Sequence, residues 1–263
     1  MPLTSFPSEM ITTEDVRALL AMPMLGEEDV AAFCNPAPDL QLQFNFSELP
    51  NAYQEAADFL NFMLGQLEHA PGWTLDFGCA WGRLLRLLRR IKALEGTEMH
   101  GCDLYPHGMD FVRRTVPGVY LSRTQVFPPS MYRNECFDLI YAYSVFSHLS
   151  EESHLAWARE YRRLIRPGGT VCVSAQGEKF IRWCEASPEH FIHKPVPVFL
   201  DHGTLERFRA GEFLYVSHDS SMPHYGHAAV PRSYFEEAWG RAGFKVVAWD
   251  ESGSQNRCVM RVR

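Results

Sequence analysis

The chemistry-bearing stretch of this chain is Leu75-Asp76-Phe77-Gly78-Cys79-Ala80-Trp81-Gly82-Arg83, an acid at the end of an apolar run followed by small residues. Gly78 has no side chain, so a ligand can come close to the backbone there. A helix starting near Gly82 points unsatisfied N–H groups at the same spot. A pyrophosphate does not suit the spot: G-x-G-x-x-G is missing, and Asp76 would repel it. An ammonium group suits Asp76. Arg83 runs against the helix dipole in the first helical turn, and a ligand carboxylate would explain it. A ligand with both groups at one end is an amino-acid derivative. A plain glycine-bearing turn of some other α/β protein is the competing reading.

The surrounding pattern supplies elements to hold these residues. Trp73, Leu75 and Phe77 predict a strand over 73–77. Leu84, Leu85, Leu87, Leu88, Ile91 and Leu94 predict a helix over 82–95, with Arg86, Arg89, Arg90 and Lys92 on its other face. A second strand over 98–102 ends at Asp103. In nucleotide-binding α/β folds an acid there accepts hydrogen bonds from ribose hydroxyls, and an ordinary turn aspartate is the alternative. A helix over 107–115, a strand over 118–121 and the polar loop Thr124-Gln125-Val126 follow. Residues 137–142 read as a buried strand. Ser150 caps a helix with Glu151 and Glu152 in its first turn, and Pro167-Gly168-Gly169 ends it before a strand over 170–174. Upstream, Thr12 or Thr13 caps a short helix, and Tyr53, Ala56, Ala57, Leu60, Met63, Leu64 and Leu67 mark another over 51–69. Downstream, 231–241 is a helix, and 244–249 with 257–262 a final hairpin.

The stretch Asp76 to Gly82 resembles the first motif of the class I S-adenosylmethionine-dependent methyltransferases, with Ala80 where that family usually has glycine. Ser144-Val145-Phe146-Ser147-His148-Leu149 resembles the run that follows the fourth strand in small-molecule methyltransferases. Arg166-Pro167-Gly168-Gly169 resembles the family's entry to strand five. The resemblance spans about 73–175, and 231–263 more loosely. It implies an α/β fold: a Rossmann-like, seven-stranded, mostly parallel sheet with an antiparallel last strand and helices on both faces. It implies an N-terminal helical cap at 1–70 and a methyltransferase core at 71–263, with 176–230 inserted after strand five as an acceptor-site lid. Packing on the sheet edge is an equal reading of the cap. The implied cofactor is S-adenosyl-L-methionine. Its methionine end would be held by Asp76, Gly78, Gly82 and Arg83, its ribose by Asp103, and its adenine by Thr124, Gln125 and Val126, with Cys79, Ala80 and Leu104 as further cofactor contacts; lining the methyl-transfer site and core packing are equal readings of Tyr143.

Methyl transfer from a sulfonium is an in-line displacement, so the protein aligns the acceptor and, where needed, removes its proton. His148 is the first base candidate, and a histidine bonded to backbone is its bland alternative. The segment His218-Asp219-Ser220-Ser221-Met222-Pro223-His224-Tyr225-Gly226-His227 offers His224, Tyr225 or His227 as base, with Tyr225, and Phe146 after the fourth strand, as acceptor contacts. A divalent-metal site or a polar loop with incidental histidines are the other readings. His-x5-His-x2-His is not a zinc spacing, and no metal is expected.

Composition sets the wider limits. The chain has 263 residues, 46% hydrophobic and 22% charged, which predicts an ordinary globular core. A net charge of −7 argues against a nucleic-acid partner. No apolar run approaches the roughly 20 residues that span a bilayer, and the polar N-terminus is not a signal peptide. Seven cysteines without a C-x-x-C pair predict reduced thiols and a cytoplasmic setting. The expected activity is methyl transfer to an oxygen or nitrogen of a small-molecule acceptor. The rivals are a non-catalytic module binding S-adenosylmethionine or a partner, a protein or nucleic-acid methyltransferase, and a NAD-dependent oxidoreductase. No signal for an oligomeric state is present.

Overall fold

The computed structural model describes residues 11–22, 34–45, 48–191 and 196–263. The chain groups into two compact units. One holds the residues up to Gln125 together with Phe137–Tyr141; the other holds Val126–Cys136 and Ala142–Arg263.

In the first unit, α1 (Thr13–Leu20) starts at a capping box: the Thr12 hydroxyl accepts from Asp15 N, and the Asp15 carboxylate accepts from Thr12 N. Next come α2 (Pro38–Asn45) and α3 (Leu49–Leu64), and α3 buries the predicted stripe of Tyr53, Ala56, Ala57, Leu60, Met63 and Leu64. The strand β1 (Trp73–Phe77) leads into α4 (Arg83–Leu88). That helix is shorter than the predicted 82–95, because Ile91 is extended and only a 3-10 turn, Lys92–Leu94, follows. Arg86, expected on the face opposite the leucines, is fully buried. Its Nη1 donates to the Cys34 carbonyl at 2.8 Å, its Nη2 donates to the Thr115 hydroxyl, and its guanidinium lies 4.8 Å from the Phe111 ring centroid. Those contacts replace the hydration a buried cation loses.

β2 (Glu98–Asp103) pairs parallel with β1, and β3 (Val119–Arg123) pairs parallel with β2 after the crossover through α5 (Pro106–Thr115). β4 (Phe137–Ala142) runs parallel to β1 on its other side. The register sets Asp76 between Gly101 of β2 and Tyr141 of β4.

In the second unit, the Ser150 hydroxyl caps α6 (Glu151–Leu164), accepting from Ser153 N at 3.3 Å. The helix stops at Leu164 and β5 (Ile165–Ala175) begins at once. Pro167-Gly168-Gly169 thus lies inside the strand instead of after the helix. The residue before a proline is pushed toward extended backbone, which ends the helix early. The insertion contains α7 (Glu178–Ala186), α8 (Thr204–Arg209) and a two-stranded antiparallel ribbon of β6 (Leu214–Ser217) and β7 (Gly226–Ala229). It has its own apolar cluster, with Phe180, Ile181, Phe199, Phe208, Leu214 and Ala229 at its centre. α9 (Arg232–Arg241) then precedes β8 (Phe244–Asp250) and β9 (Asn256–Val262).

β9 inserts antiparallel between β5 and β8. The seven-stranded sheet runs β3-β2-β1-β4-β5-β9-β8. All seven cysteines are free and buried. Among the described residues no helix is long and apolar enough to cross a membrane.

Candidate functional site

The turn after β1 holds most of the first unit's residues that the sequence singles out. Gly78 and Cys79 both donate backbone N–H groups to the Cys102 carbonyl, at 2.8 and 3.0 Å, and Gly82 N donates to the Cys79 carbonyl at 2.7 Å. Three residues take left-handed backbone: Gly78 (φ 80°), Ala80 (φ 47°) and Gly82 (φ 83°). An alanine in that region costs about 1 kcal/mol, the physical reason a glycine is usual at position 80. Gly82 has a second constraint, since a Cβ there would sit 2.8 Å from Val112.

Asp103 braces the turn from β2. Its Oδ2 accepts from Ala80 N at 2.8 Å and its Oδ1 from Tyr105 N at 2.9 Å. Burial raises its pKa, and these backbone donors work against the shift. Each carboxylate oxygen keeps a further lone pair, the requirement for holding a diol.

Asp76 is different. It is fully buried, and neither carboxylate oxygen has a hydrogen-bond partner among the described residues. Desolvation, then the Asp103 charge, push its carboxyl well above the usual range, while Arg83 pulls the other way. The Tyr141 hydroxyl and the Thr124 hydroxyl, also buried, likewise lack partners. Tyr141 sits beside Asp76 in register. An uncompensated carboxylate costs several kcal/mol, so this site fits a cationic, hydrogen-bond-donating ligand. The acceptor set therefore suits the ammonium of an amino-acid end, with Asp103 for a ribose. Arg83 lies 3.7 Å from Glu55 on α3. The Cys79 and Cys102 thiols are pushed up by burial and stay protonated. Leu104 is half-buried, and Gln125 is exposed. Tyr141 has no sequence signal of its own, because a tyrosine in an apolar strand reads as core.

In the second unit, Ser144 after β4 also has left-handed backbone (φ 61°). A closed hydrogen-bond circuit holds it: Ser144 N donates to Ser174 Oγ at 2.8 Å, Ser174 Oγ to Gln255 Oε1 at 2.8 Å, and Gln255 Nε2 to Ser144 Oγ at 2.9 Å. Past this point residues 147–150 pair with 224–228. Gly226 N donates to the His148 carbonyl and Ala228 N to the Ser147 carbonyl, both at 2.8 Å, and Ser150 N donates to the His224 carbonyl at 3.2 Å. The His148 ring completes the pairing, with Nδ1 2.7 Å from the Gly226 carbonyl. Nδ1 therefore carries the proton, and Nε2 presents a lone pair.

The pairing collects His148, His218 and His227, whose ring nitrogens lie within 4.8 Å of one another. Tyr225 stacks on His148 with ring centroids 5.4 Å apart and meets His218 edge-on at 5.1 Å. His224 lies outside this cluster. Its Nδ1 is 3.0 Å from Ser150 Oγ and 3.9 Å from the Glu152 carboxylate, and its ring meets Phe127 edge-on. His218, absent from the residues singled out as bases, takes the place beside His148 and His227. Tyr143 is buried, with its hydroxyl 3.5 Å from Ser254 Oγ. Phe146 is fully buried among His154, Tyr161 and Trp239, so its ring builds core packing beneath the loop. The Val126 carbonyl accepts from Ser153 Oγ and Trp157 Nε1, both at 2.9 Å.

Several solved structures share this fold. The PH0226 protein from Pyrococcus horikoshii is 15% identical, with a TM-score of 0.58, covering 84% of this chain and 95% of that one. A chain from the complex between the Haloferax volcanii Trm112 methyltransferase activator and the putative methyltransferase is 14% identical, with a TM-score of 0.55, covering 81% and 92%. The 1,6-didemethyltoxoflavin-N1-methyltransferase of Burkholderia thailandensis, solved with 1,6-didemethyltoxoflavin and S-adenosylhomocysteine, is 14% identical, with a TM-score of 0.53, covering 80% and 78%. No curated protein sequence matches. A methyltransferase-domain family matches residues 49–248, most of the chain and both halves of the sheet, and the protein belongs to that family.

Proposed function

We propose that this methyltransferase moves the methyl group of S-adenosyl-L-methionine to an oxygen or nitrogen of a small molecule. The observation that carries the donor assignment is Asp76: a fully buried carboxylate with neither oxygen bonded, at the end of the central strand. When bound, S-adenosyl-L-methionine supplies the electrophilic methyl and its own leaving group. Asp76 takes the ammonium of the methionine end. Gly78, Cys79, Ala80 and Gly82 form the backbone turn against that end, and Arg83 answers its carboxylate. Asp103 and Leu104 take the ribose, Thr124, Gln125 and the Val126 side chain the adenine, and Tyr143 lines the methyl.

The insertion over 176–230 forms the acceptor wall of the 71–263 core, and the helices of 1–70 the cap. Of the histidines expected as bases, His224 is the one oriented by side chains: its Nδ1 lies 3.0 Å from the Ser150 hydroxyl and 3.9 Å from the Glu152 carboxylate, which leaves Nε2 for the acceptor. Tyr225 offers an aromatic face to the acceptor. His148 and His227 line the same wall. A net charge of −7 and free buried thiols suit a small acceptor in a cytoplasmic setting better than nucleic acid. The N-methyltransferase named above acts on a small heterocycle by its own description, in keeping with this reading.

The test is transfer of labelled methyl to a panel of phenols, hydroxy acids, amines and N-heterocycles, with a peptide pool and transfer RNA alongside. Label in a small acceptor, reduced by His224→Ala with cofactor affinity intact, is the expected result. Label only in peptide or RNA would overturn the acceptor class. Tight binding of cofactor with no transfer to any acceptor would favour the non-catalytic module.

A further inference from the structure

The histidines gathered by the 147–150/224–228 pairing come from three separate places in the chain. His148 follows β4, His218 follows β6 and His227 lies in β7. One ring nitrogen from each falls within 4.8 Å of the other two. Their ring centroids are 6.1 Å (His148–His218), 5.6 Å (His148–His227) and 4.7 Å (His218–His227) apart. All three are half-buried, and no carboxylate belongs to the cluster.

We propose that His148, His218 and His227 form a three-histidine site for a borderline divalent metal ion, with Zn²⁺ the best fit. Imidazole nitrogens suit Zn²⁺ and its neighbours, while Mg²⁺ and Ca²⁺ require oxygen ligands. Three histidines and one open position are a known catalytic zinc set. A tetrahedral centre with bonds of about 2.05 Å places its nitrogens about 3.3 Å apart. Closing from the observed spacing takes side-chain rotation of about 1.5 Å at most.

The support around the cluster is independent of that spacing. A metal-bound histidine donates its other ring N–H to a carbonyl or carboxylate, which fixes tautomer and orientation. His148 already does so, with Nδ1 at 2.7 Å from the Gly226 carbonyl, and Nε2 is then its ligating atom. Tyr225 holds the same ring from the flat side, with the two planes 25° apart. The hairpin that brings His218 and His227 alongside closes tightly at Gly226, where a Cβ would lie 1.9 Å from the Val216 carbonyl oxygen. The fourth position is left to water or to an anionic oxygen. The inference concerns ion binding alone and does not depend on which molecule accepts the methyl group. It also leaves His224, outside the cluster, as the base of the proposed reaction.

The experiment is titration of the metal-stripped full chain with Co²⁺, followed by visible absorption, then displacement by Zn²⁺. One equivalent of Co²⁺ giving the intense band of four-coordinate cobalt, abolished by Zn²⁺, is the expected result. His218→Ala and His227→Ala should each weaken binding by more than the roughly 10–100-fold that loss of a supporting group costs. His202→Ala, an exposed histidine outside the cluster, should not change it. Absence of the band, or a band that survives in both cluster variants, overturns the proposal. Circular dichroism checks that each variant folds. If a variant does not fold, X-ray absorption of the Zn²⁺-loaded wild type decides, since fewer than three imidazole nitrogens at the ion would sink the assignment.

Discussion

Asp76 and His154 are both fully buried titratable side chains, one in each unit, and burial drives them in opposite directions. The Asp76 carboxyl is raised well above its usual range, by desolvation first and by Asp103 second. The His154 imidazole is lowered to about 3 by desolvation. Both are held neutral, yet their surroundings differ. His154 Nε2 accepts from Trp239 Nε1 at 2.9 Å inside a cage of Phe146, Phe213, Tyr234 and Phe235. Asp76 has neighbours in register but no donor to either oxygen among the described residues. The core answers His154 at Nε2 and leaves its Nδ1 without a partner among the described residues, whereas it answers Asp76 at neither oxygen, and on that difference rests the proposed receptor role of Asp76.

The linkage has opposite signs as well. Asp76 is raised on folding, so its contribution is full below the unfolded value of 3.8 and is lost as pH rises through its folded pKa. His154 is lowered on folding, so its contribution is present above 6.5 and is lost as pH falls toward about 3.

The harshest way to break the comparison is Gly226→Ala. Its Cβ would overlap the Val216 carbonyl oxygen at 1.9 Å, and backbone must move. We expect about 3 kcal/mol of lost stability in a urea melt, with S-adenosylhomocysteine binding retained by the folded fraction. Loss of binding in folded protein would mean that the two regions are not separable.

Asp76→Asn comes next. Removing the carboxylate should weaken cofactor affinity roughly 100-fold, about 2.7 kcal/mol. The same change should raise the melting temperature of the ligand-free protein at pH 8, because a buried acid no longer needs to ionise. A melting temperature that falls would place Asp76 among the structural groups.

His154 sharpens the other side. Between pH 7 and pH 5 the wild type should lose about 2 kcal/mol through this group, and His154→Phe should remove that slope even if it is less stable overall. An unchanged slope would mean that other groups drive the acid transition. The smallest effect is Ala80→Gly. Relief of left-handed strain and the extra freedom of the unfolded chain nearly cancel, so stability should move by less than about 1 kcal/mol.

What the sequence disclosed follows the same division. β1, its turn and Asp103 were legible because they are neighbours in sequence or on adjacent parallel strands, where an apolar run ending in an acid has few readings. The capping of α1 and α6 was legible for the same local reason. The histidine cluster was not: His148 and His227 meet through backbone pairing of two irregular segments far apart in the chain, and β7 is built of small residues that give no strand pattern. Sequence spacing groups His218 with His224 and His227, whereas the hairpin register turns His224 toward Ser150 and brings His148 in instead. Arg86 misled for a related cause, since helix periodicity assigns a face to each residue but not the neighbour that will cover it.

The central claim is that the Asp76 carboxylate receives the cofactor's ammonium group. Titration calorimetry of wild type and Asp76→Asn with S-adenosylhomocysteine, at several pH values and in two buffers of different ionisation enthalpy, tests it directly. The account predicts micromolar binding by the wild type with release of a proton as Asp76 ionises, and loss of both the proton and most of the affinity in Asp76→Asn. Equal affinity for the two proteins, with no proton released, would contradict it.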